Sequence, residues 1–130
     1  MIFVDTNYFL RFLLNDIKKQ HLTAKKLFLS AAEGKKELTT SLIVFFEVYW
    51  VLKSYYEKNK EELVKTMKKL LELNFIKLNE RVILEQSINL YTDYNLSLED
   101  CYNLSYIKQH QLKDLASFDE KLNKVFKKLK

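Results

Sequence analysis

The alternation of short apolar runs with longer helical segments is the feature that most constrains the fold of this chain. Four runs resemble strands, at residues 1–4, 38–40, 75–78 and 114–118. Between them, apolar residues recur every three or four positions, as on one face of a helix. Strands joined through helices pair in parallel. The pattern therefore predicts an α/β fold, a three-layer α/β/α sandwich around a parallel sheet of four to five strands.

Capping residues indicate where the helices begin and end. Helices are predicted at residues 7–14, 17–33, 41–54, from 59 to at least 71, and at 80–93, 98–109 and 120–129. Gly34 suits the position just past a helix C-terminus, and Ser41 and Asn79 suit N-caps. Asn59 followed by Glu62 matches a capping box. The aromatic and β-branched segment VFFEVYWV also suits a strand, so that alternative stays open.

Length and composition predict one globular domain spanning residues 1–130. The chain has 130 residues, 48% hydrophobic and 30% charged, which is a balance typical of a folded domain. One Cys excludes an intramolecular disulfide and a cysteine-rich zinc site. One Gly excludes a glycine-rich phosphate loop. The net charge of +5 is compatible with a polyanionic partner but does not require one.

Nothing in the sequence predicts export or a membrane span. The first residues, MIFVDTNYFL, have no basic segment before the apolar run, and Asp5 interrupts that run. The longest nearly apolar stretch, residues 42–52, contains Glu47 and is far shorter than the ~20 residues that cross a bilayer. We therefore expect a cytoplasmic protein without a membrane partner.

Three acidic residues fall at predicted strand ends or helix starts. Asp5 and Asp119 each follow a strand, where ligands bind in open parallel sheets, although Asp is also a common helix N-cap. Asp100 lies in the first turn of the helix at 98–109, where the helix dipole favours a negative charge. Four and seven residues beyond Asp100 are apolar positions, whereas Glu99 shares a polar face. We therefore expect the Asp100 side chain to face the core and the Glu99 side chain to face solvent.

Glu47 is the fourth candidate because it is the only charged residue in its apolar helix segment. If it is buried, its ionised form costs several kcal/mol without a partner. No base lies inside the run, and the nearest is Lys53. A divalent cation shared with Asp5, Asp100 and Asp119 would satisfy the charge, and hard oxygen donors suit Mg²⁺ or Mn²⁺. Such a centre activates water for phosphodiester hydrolysis.

Four segments of the chain resemble the PIN domain family, specifically the VapC-type toxin ribonucleases of toxin–antitoxin systems. They are VDTNYFLRFLL, SLIVFFEVYWVL, LSLEDCYNLSYIKQ and LASFDEKL, in the family's order, from residue 2 to about 126. The resemblance implies a parallel sheet between helices, a homodimer and a cognate antitoxin. It also implies metal-site carboxylates and two supporting polar groups. In this numbering these are Asp5, Glu47, Asp100 and Asp119, supported by Asn7 and Ser117. The Gly expected before the last strand is absent.

Arg11 lies one helical turn beyond Asn7 and is a candidate contact for a phosphate or an antitoxin carboxylate. The resulting hypothesis is a cytoplasmic endoribonuclease toxin that cleaves RNA with Mg²⁺ or Mn²⁺. Four alternatives stay open. They are an RNA-processing nuclease of the same fold, a phosphotransferase or phosphatase with an Asp nucleophile, a binding module with a vestigial acidic pocket, and a structural interaction domain. The phosphotransferase would need a second Asp two residues after Asp5, where the chain has Asn7.

Overall fold

Seven helices and three two-residue strands form the chain in a computed structural model that describes residues 1–130. In chain order the elements are β1 (Ile2–Phe3), α1 (Thr6–Leu14), α2 (Lys18–Ala32), β2 (Leu38–Thr39), α3 (Leu42–Ser54), α4 (Lys60–Leu71), β3 (Ile76–Lys77), α5 (Arg81–Asp93), α6 (Leu98–Gln109) and α7 (Glu120–Leu129). The chain divides into two packed units, Met1–Asn79 and Glu80–Lys130. All seven predicted helices are present, and residues 44–51 are helical. None of the helices has both the length and the apolar content needed to cross a membrane.

The sheet lies in the first unit and is parallel, as predicted. Its strand order is β1-β2-β3, with Leu38 of the central strand paired to Ile2 on one side and Ile76 on the other. Beyond the ladder, the Thr40 hydroxyl donates a hydrogen bond to the Val4 carbonyl at 2.9 Å. This bond links the chain segments that leave β1 and β2, and β1 leads directly into Asp5.

The prediction of four to five strands is wrong, because the sheet has three. Residues 114–118 form no strand, although Leu115 and Ser117 alternate with more exposed neighbours in a strand-like pattern. Phe118 is fully exposed and the Asp114 side chain is 91% exposed. Periodicity describes one segment only, whereas a strand also requires a neighbour that completes its hydrogen-bond ladder.

Most predicted helix caps are confirmed, with one displaced by a residue. Ser41 accepts a hydrogen bond from the Val44 N–H at 3.3 Å, and Asn59 and Glu62 form the reciprocal capping box. The prediction that Asn79 caps α5 is wrong. Residues 79–80 form a turn, so Glu80 takes the N-cap position and makes no side-chain capping bond.

Gly34 ends α2 as predicted. Its φ of +81° is in the left-handed region that glycine adopts without a steric penalty. Its N–H donates to the Ala31 carbonyl at 3.0 Å, and the Lys35 N–H donates to the Ser30 carbonyl at 2.9 Å. These two bonds define a Schellman motif, which satisfies carbonyls that the helix end would otherwise leave unpaired.

Each unit has its own apolar packing. In the first unit α1 packs against α2, α3 and α4, and the Phe9 and Phe28 rings lie 5.8 Å apart at the α1–α2 contact. In the second unit α5 packs against α6, with Leu84 and Leu98 fully buried. The first unit therefore supports the segment that follows β1, and the second supports the start of α6.

Candidate metal centre

The four candidate carboxylates are divided equally between the two units. Asp5 and Glu47 belong to Met1–Asn79, and Asp100 and Asp119 belong to Glu80–Lys130. Within neither unit does a group of three or more His, Cys, Asp and Glu side chains come close enough to hold a metal ion.

Asp5 occupies the N-cap position of α1 without using its side chain as a cap. Its carbonyl accepts a hydrogen bond from the Tyr8 N–H at 3.2 Å, but its carboxylate accepts no capping bond. The capping alternative is therefore wrong for this side chain, which is exposed. Next to it, the Thr6 hydroxyl oxygen is buried and makes no hydrogen bond. Just after β1, the Asp5 carboxylate makes no capping bond and the Thr6 hydroxyl makes no hydrogen bond.

Asp119 does act as a cap. Its Oδ1 accepts a hydrogen bond from the Leu122 N–H at 2.9 Å at the start of α7. Its own N–H donates to the Ser117 hydroxyl at 3.0 Å, and the Asn123 side-chain amide donates to the Ser117 carbonyl at 2.8 Å. Ser117 therefore orders the turn that carries Asp119. The capping alternative is confirmed for Oδ1, and it leaves Oδ2 available to a ligand.

Asp100 and Glu99 face the directions that their helical neighbours predicted. Asp100 is half-buried and Glu99 is exposed, while Leu104, one turn beyond Asp100, is buried. The Asp100 N–H donates to the hydroxyl of the N-cap Ser97 at 3.1 Å. The cap therefore holds the backbone of Asp100 in the first turn of α6.

The expectation that Glu47 is buried is wrong. Glu47 is exposed, and so are Ile43, at 63%, and Trp50, at 44%, which lie on the same side of α3. The opposite side of the helix carries the fully buried Phe45 and Leu52. An almost wholly apolar helix hides which side faces outward, because it has no polar stripe to mark it. The desolvation argument for a cation at Glu47 therefore does not hold, and the family motif alone supports its role.

Arg11 is bound within the first unit. Its Nη1 donates to both carboxylate oxygens of Asp16, at 3.1 and 2.9 Å, and its Nη2 donates to the Tyr56 hydroxyl at 3.1 Å. Arg11 and Asn7 line the same groove between α1 and α2. That Arg11 contacts a phosphate or an antitoxin carboxylate stays a prediction. Such a contact requires guanidinium N–H donors of Arg11 that Asp16 and Tyr56 do not use.

Sequence reasoning did not single out several of these partners. The Arg11 cluster joins residues 11, 16 and 56, and the spacing to Tyr56 has no local periodicity. The Thr6 hydroxyl has little sequence signal, because a Thr after a strand is ordinarily satisfied by the backbone. Its only signal was its place between Asp5 and Asn7.

The chemistry of the four side chains fits a hard divalent cation. All four offer carboxylate oxygens, and neither His nor Cys is among them, which suits Mg²⁺ or Mn²⁺ better than a softer metal. Asp5 has an uncommitted carboxylate and Asp119 has one free oxygen. The donor set therefore fits the ion that the sequence pattern predicted.

A comparison with protein family models identifies the family of this chain. The family model described as PIN domain matches residues 2–128, which is nearly the whole chain and parts of both units. The chain belongs to the PIN domain family. PIN domains are generally metal-dependent nucleases, so membership indicates nuclease chemistry and RNA binding. No curated protein and no solved structure matches the chain.

Proposed function

We propose that this protein is a metal-dependent endoribonuclease in which Asp5, Glu47, Asp100 and Asp119 together bind Mg²⁺ or Mn²⁺. The observation that carries the proposal is the uncommitted carboxylate of Asp5 directly after β1, in a chain that the PIN family matches over residues 2–128. An N-cap Asp that makes no capping bond gives up a stabilising contact. A role in binding a cation accounts for keeping a carboxylate there.

The chain's own residues would bind and orient the reacting groups. A bound divalent cation would lower the pKa of water and neutralise charge on the phosphodiester. Asp119 would enter the site with its orientation already set, because the Leu122 N–H and the Ser117 turn restrain it. Asn7 and Ser117 would support the carboxylates or hold ligand water in place. Lysines would attract the RNA phosphates, so binding should weaken as salt rises.

Cleavage assays with carboxamide variants test this proposal. Asp5→Asn and Glu47→Gln each remove one negative charge at nearly constant size, and Glu61→Gln is a matched control at an exposed acidic position in the first turn of α4. We expect cutting of RNA with Mg²⁺ or Mn²⁺, no cutting with EDTA, and strong loss in the first two variants only. Manganese binding without cutting of any RNA would instead favour a module with a vestigial acidic pocket.

We further propose that the protein is the toxin of a type II toxin–antitoxin pair and acts as a homodimer in the cytoplasm. The four motifs that resemble VapC-type toxins support this assignment. The test is to express the chain with and without the product of the small reading frame next to its gene. Growth arrest that the neighbouring product relieves supports a toxin. RNA cleavage without arrest favours an RNA-processing nuclease of the same fold.

A further inference from the structure

A mainly apolar cavity of about 520 Å³ lies within the second unit, between α5, α6 and α7. Its apolar lining includes Leu90, Leu104, Ile107, Phe126 and Leu129. The volume falls in the range of about 300–1,000 Å³ typical of small-ligand sites. None of the four candidate metal carboxylates lines this cavity.

Two polar groups in the cavity lining have no hydrogen-bond partner. Ser105 is 1% exposed, and its hydroxyl oxygen makes no hydrogen bond. The buried Oε1 of Gln86 also makes no hydrogen bond. Serine in a helix ordinarily satisfies its hydroxyl with the carbonyl four residues earlier. Ser87 of α5 does so, donating to the Ile83 carbonyl at 2.6 Å. Both oxygens are closed to solvent in this conformation, and because both residues line the cavity, a rotation of either side chain would bring its oxygen to a ligand there.

Positive charge surrounds the same cavity. Lys108, Lys113 and Lys130 line it, and Asp93 is its only acidic lining residue. Lys130 has Asp114 as a salt-bridge partner at 3.9 Å, but both side chains are largely exposed, so this pair is weak. Residues 108–130 contain seven lysines and three acidic residues in a chain whose net charge is +5. An anionic ligand is therefore favoured at the mouth of the cavity.

We propose that this cavity binds one unstacked nucleotide of single-stranded RNA. The apolar wall and the Phe126 ring would contact the base, and Gln86 and Ser105 would hydrogen-bond to its edge. The three lysines would bind the flanking phosphates. The choice of RNA rests on the proposed ribonuclease function, and the cavity would select which RNA segment is bound.

The combination of groups favours a nucleotide over a peptide. A base presents donors and acceptors on one flat apolar body, which matches unpartnered oxygens set in an apolar wall. Three cations around one opening match a polymer with a negative charge on every residue. An acidic peptide would satisfy the lysines but offers no comparable flat polar edge for Gln86 and Ser105.

The first experiment measures RNA affinity without cleavage. A labelled single-stranded oligonucleotide is titrated in EDTA by fluorescence anisotropy at several salt concentrations. The triple variant Lys108→Gln, Lys113→Gln and Lys130→Gln should bind at least about tenfold more weakly. Its slope of log affinity against log salt should fall by about 2, since each single-strand phosphate contact contributes about 0.7. The matched control is Lys18→Gln, Lys19→Gln and Lys25→Gln, three exposed lysines of α2, and it should leave the slope nearly unchanged.

The second experiment tests the cavity interior. Gln86→Leu removes the unpartnered acceptor and should weaken oligonucleotide binding about 5- to 100-fold without changing the salt slope. Methyl NMR signals of Leu104, Ile107 and Leu129 should shift on adding nucleoside monophosphates, but not on adding inorganic phosphate. Circular dichroism confirms that each variant is folded.

Three outcomes would overturn the inference. If both triple lysine variants weaken RNA binding equally, the RNA is attracted by surface lysines in general and not by the cavity. Unchanged affinity of the Gln86→Leu variant would mean that no base enters the cavity. Methyl shifts with an acidic peptide but not with nucleotides would assign the cavity to a protein partner. Because binding is measured in EDTA, the two proposals can fail separately. If the protein cleaves RNA but Gln86→Leu does not weaken binding, the nucleotide site in the cavity is wrong and the nuclease proposal stands. If nucleotides bind in the cavity but no RNA is cleaved, the nuclease proposal is wrong and the nucleotide site stands.

Discussion

The Oδ1 of Asp119 accepts a hydrogen bond from the Leu122 N–H at 2.9 Å, so a candidate metal ligand is also the N-cap of α7. A carboxylate has two oxygens, and the cap uses one of them. The two roles are therefore compatible, and the cap restrains the side chain before any ligand binds. Asp5, by contrast, holds the N-cap position of α1 without making the bond.

Substitutions at Asp119 should separate its two roles. Asn caps helices about as well as Asp, so Asp119→Asn should keep the thermal stability and lose metal-dependent cleavage. Asp119→Ala should lose cleavage and also about 1 kcal/mol of unfolding free energy. Denaturant unfolding and RNA cleavage measured on the same samples check both effects. Asn59→Ala, which removes the capping box of α4, is the control that lowers stability alone. Full activity in Asp119→Asn would exclude a metal role for its charge.

Asp5 should respond differently because its side chain caps nothing. Asp5→Asn and Asp5→Ala should each change the unfolding free energy by less than about 0.5 kcal/mol, as for an exposed side chain without a structural bond. Both variants should bind Mn²⁺ more weakly in calorimetry. Destabilisation of Asp5→Ala as large as that of Asp119→Ala would show that the Asp5 carboxylate has a capping role after all.

Gly34 should be replaceable only at a conformational cost. No atom lies within 4 Å of the position that a Cβ would take, so an added methyl group meets no clash. Its φ of +81° is nevertheless unfavourable for a residue with a Cβ. Gly34→Ala should therefore lower the unfolding free energy by about 1 kcal/mol, and Gly34→Asn by less, because Asn tolerates this conformation better. Thermal unfolding measures both. Equal stability of the Ala variant and the parent would contradict the left-handed C′ residue.

Tyr102 should make stability depend on pH in the alkaline range. Burial raises the pKa of Tyr102 from 10.0 to about 12, and the hydrogen bond that its hydroxyl donates to Glu80 at 2.8 Å adds to the shift. Because the folded state favours the protonated phenol, this contribution is complete below pH 10 and is lost as the pH rises toward 12. The difference in unfolding free energy between the parent and Tyr102→Phe should shrink across that interval. A difference that stays constant would refute the assignment, and tyrosinate absorbance offers an independent titration.

Local features of the fold were predictable because neighbouring residues determine them. The N-cap at Ser41, the capping box of Asn59 and Glu62, and the turn at Gly34 each involve residues within a few positions of one another. The inward direction of Asp100 followed from its helical neighbours. Such features are visible in the chain itself because side-chain chemistry satisfies backbone groups nearby.

Errors arose where a partner distant in the chain decides the outcome. Residues 114–118 have a strand pattern, yet a ladder partner must complete a strand. The exposed side of α3 depends on which helices cover it, so Glu47 faced outward against expectation. The clustering of Arg11 with Tyr56 had no sequence signal.

The sequence by itself determined the order of the seven helices, most helix ends, membership of the PIN family and the acidic donor chemistry that suits a hard cation. These depend on short-range backbone hydrogen bonding, on periodicity and on residue identity. Only the tertiary structure decided how many strands pair, which side of α3 is covered, which carboxylates serve as caps, and where an apolar cavity leaves Ser105 without a partner. Burial and pairing depend on the surfaces that fold against a residue, and a linear pattern does not specify those surfaces.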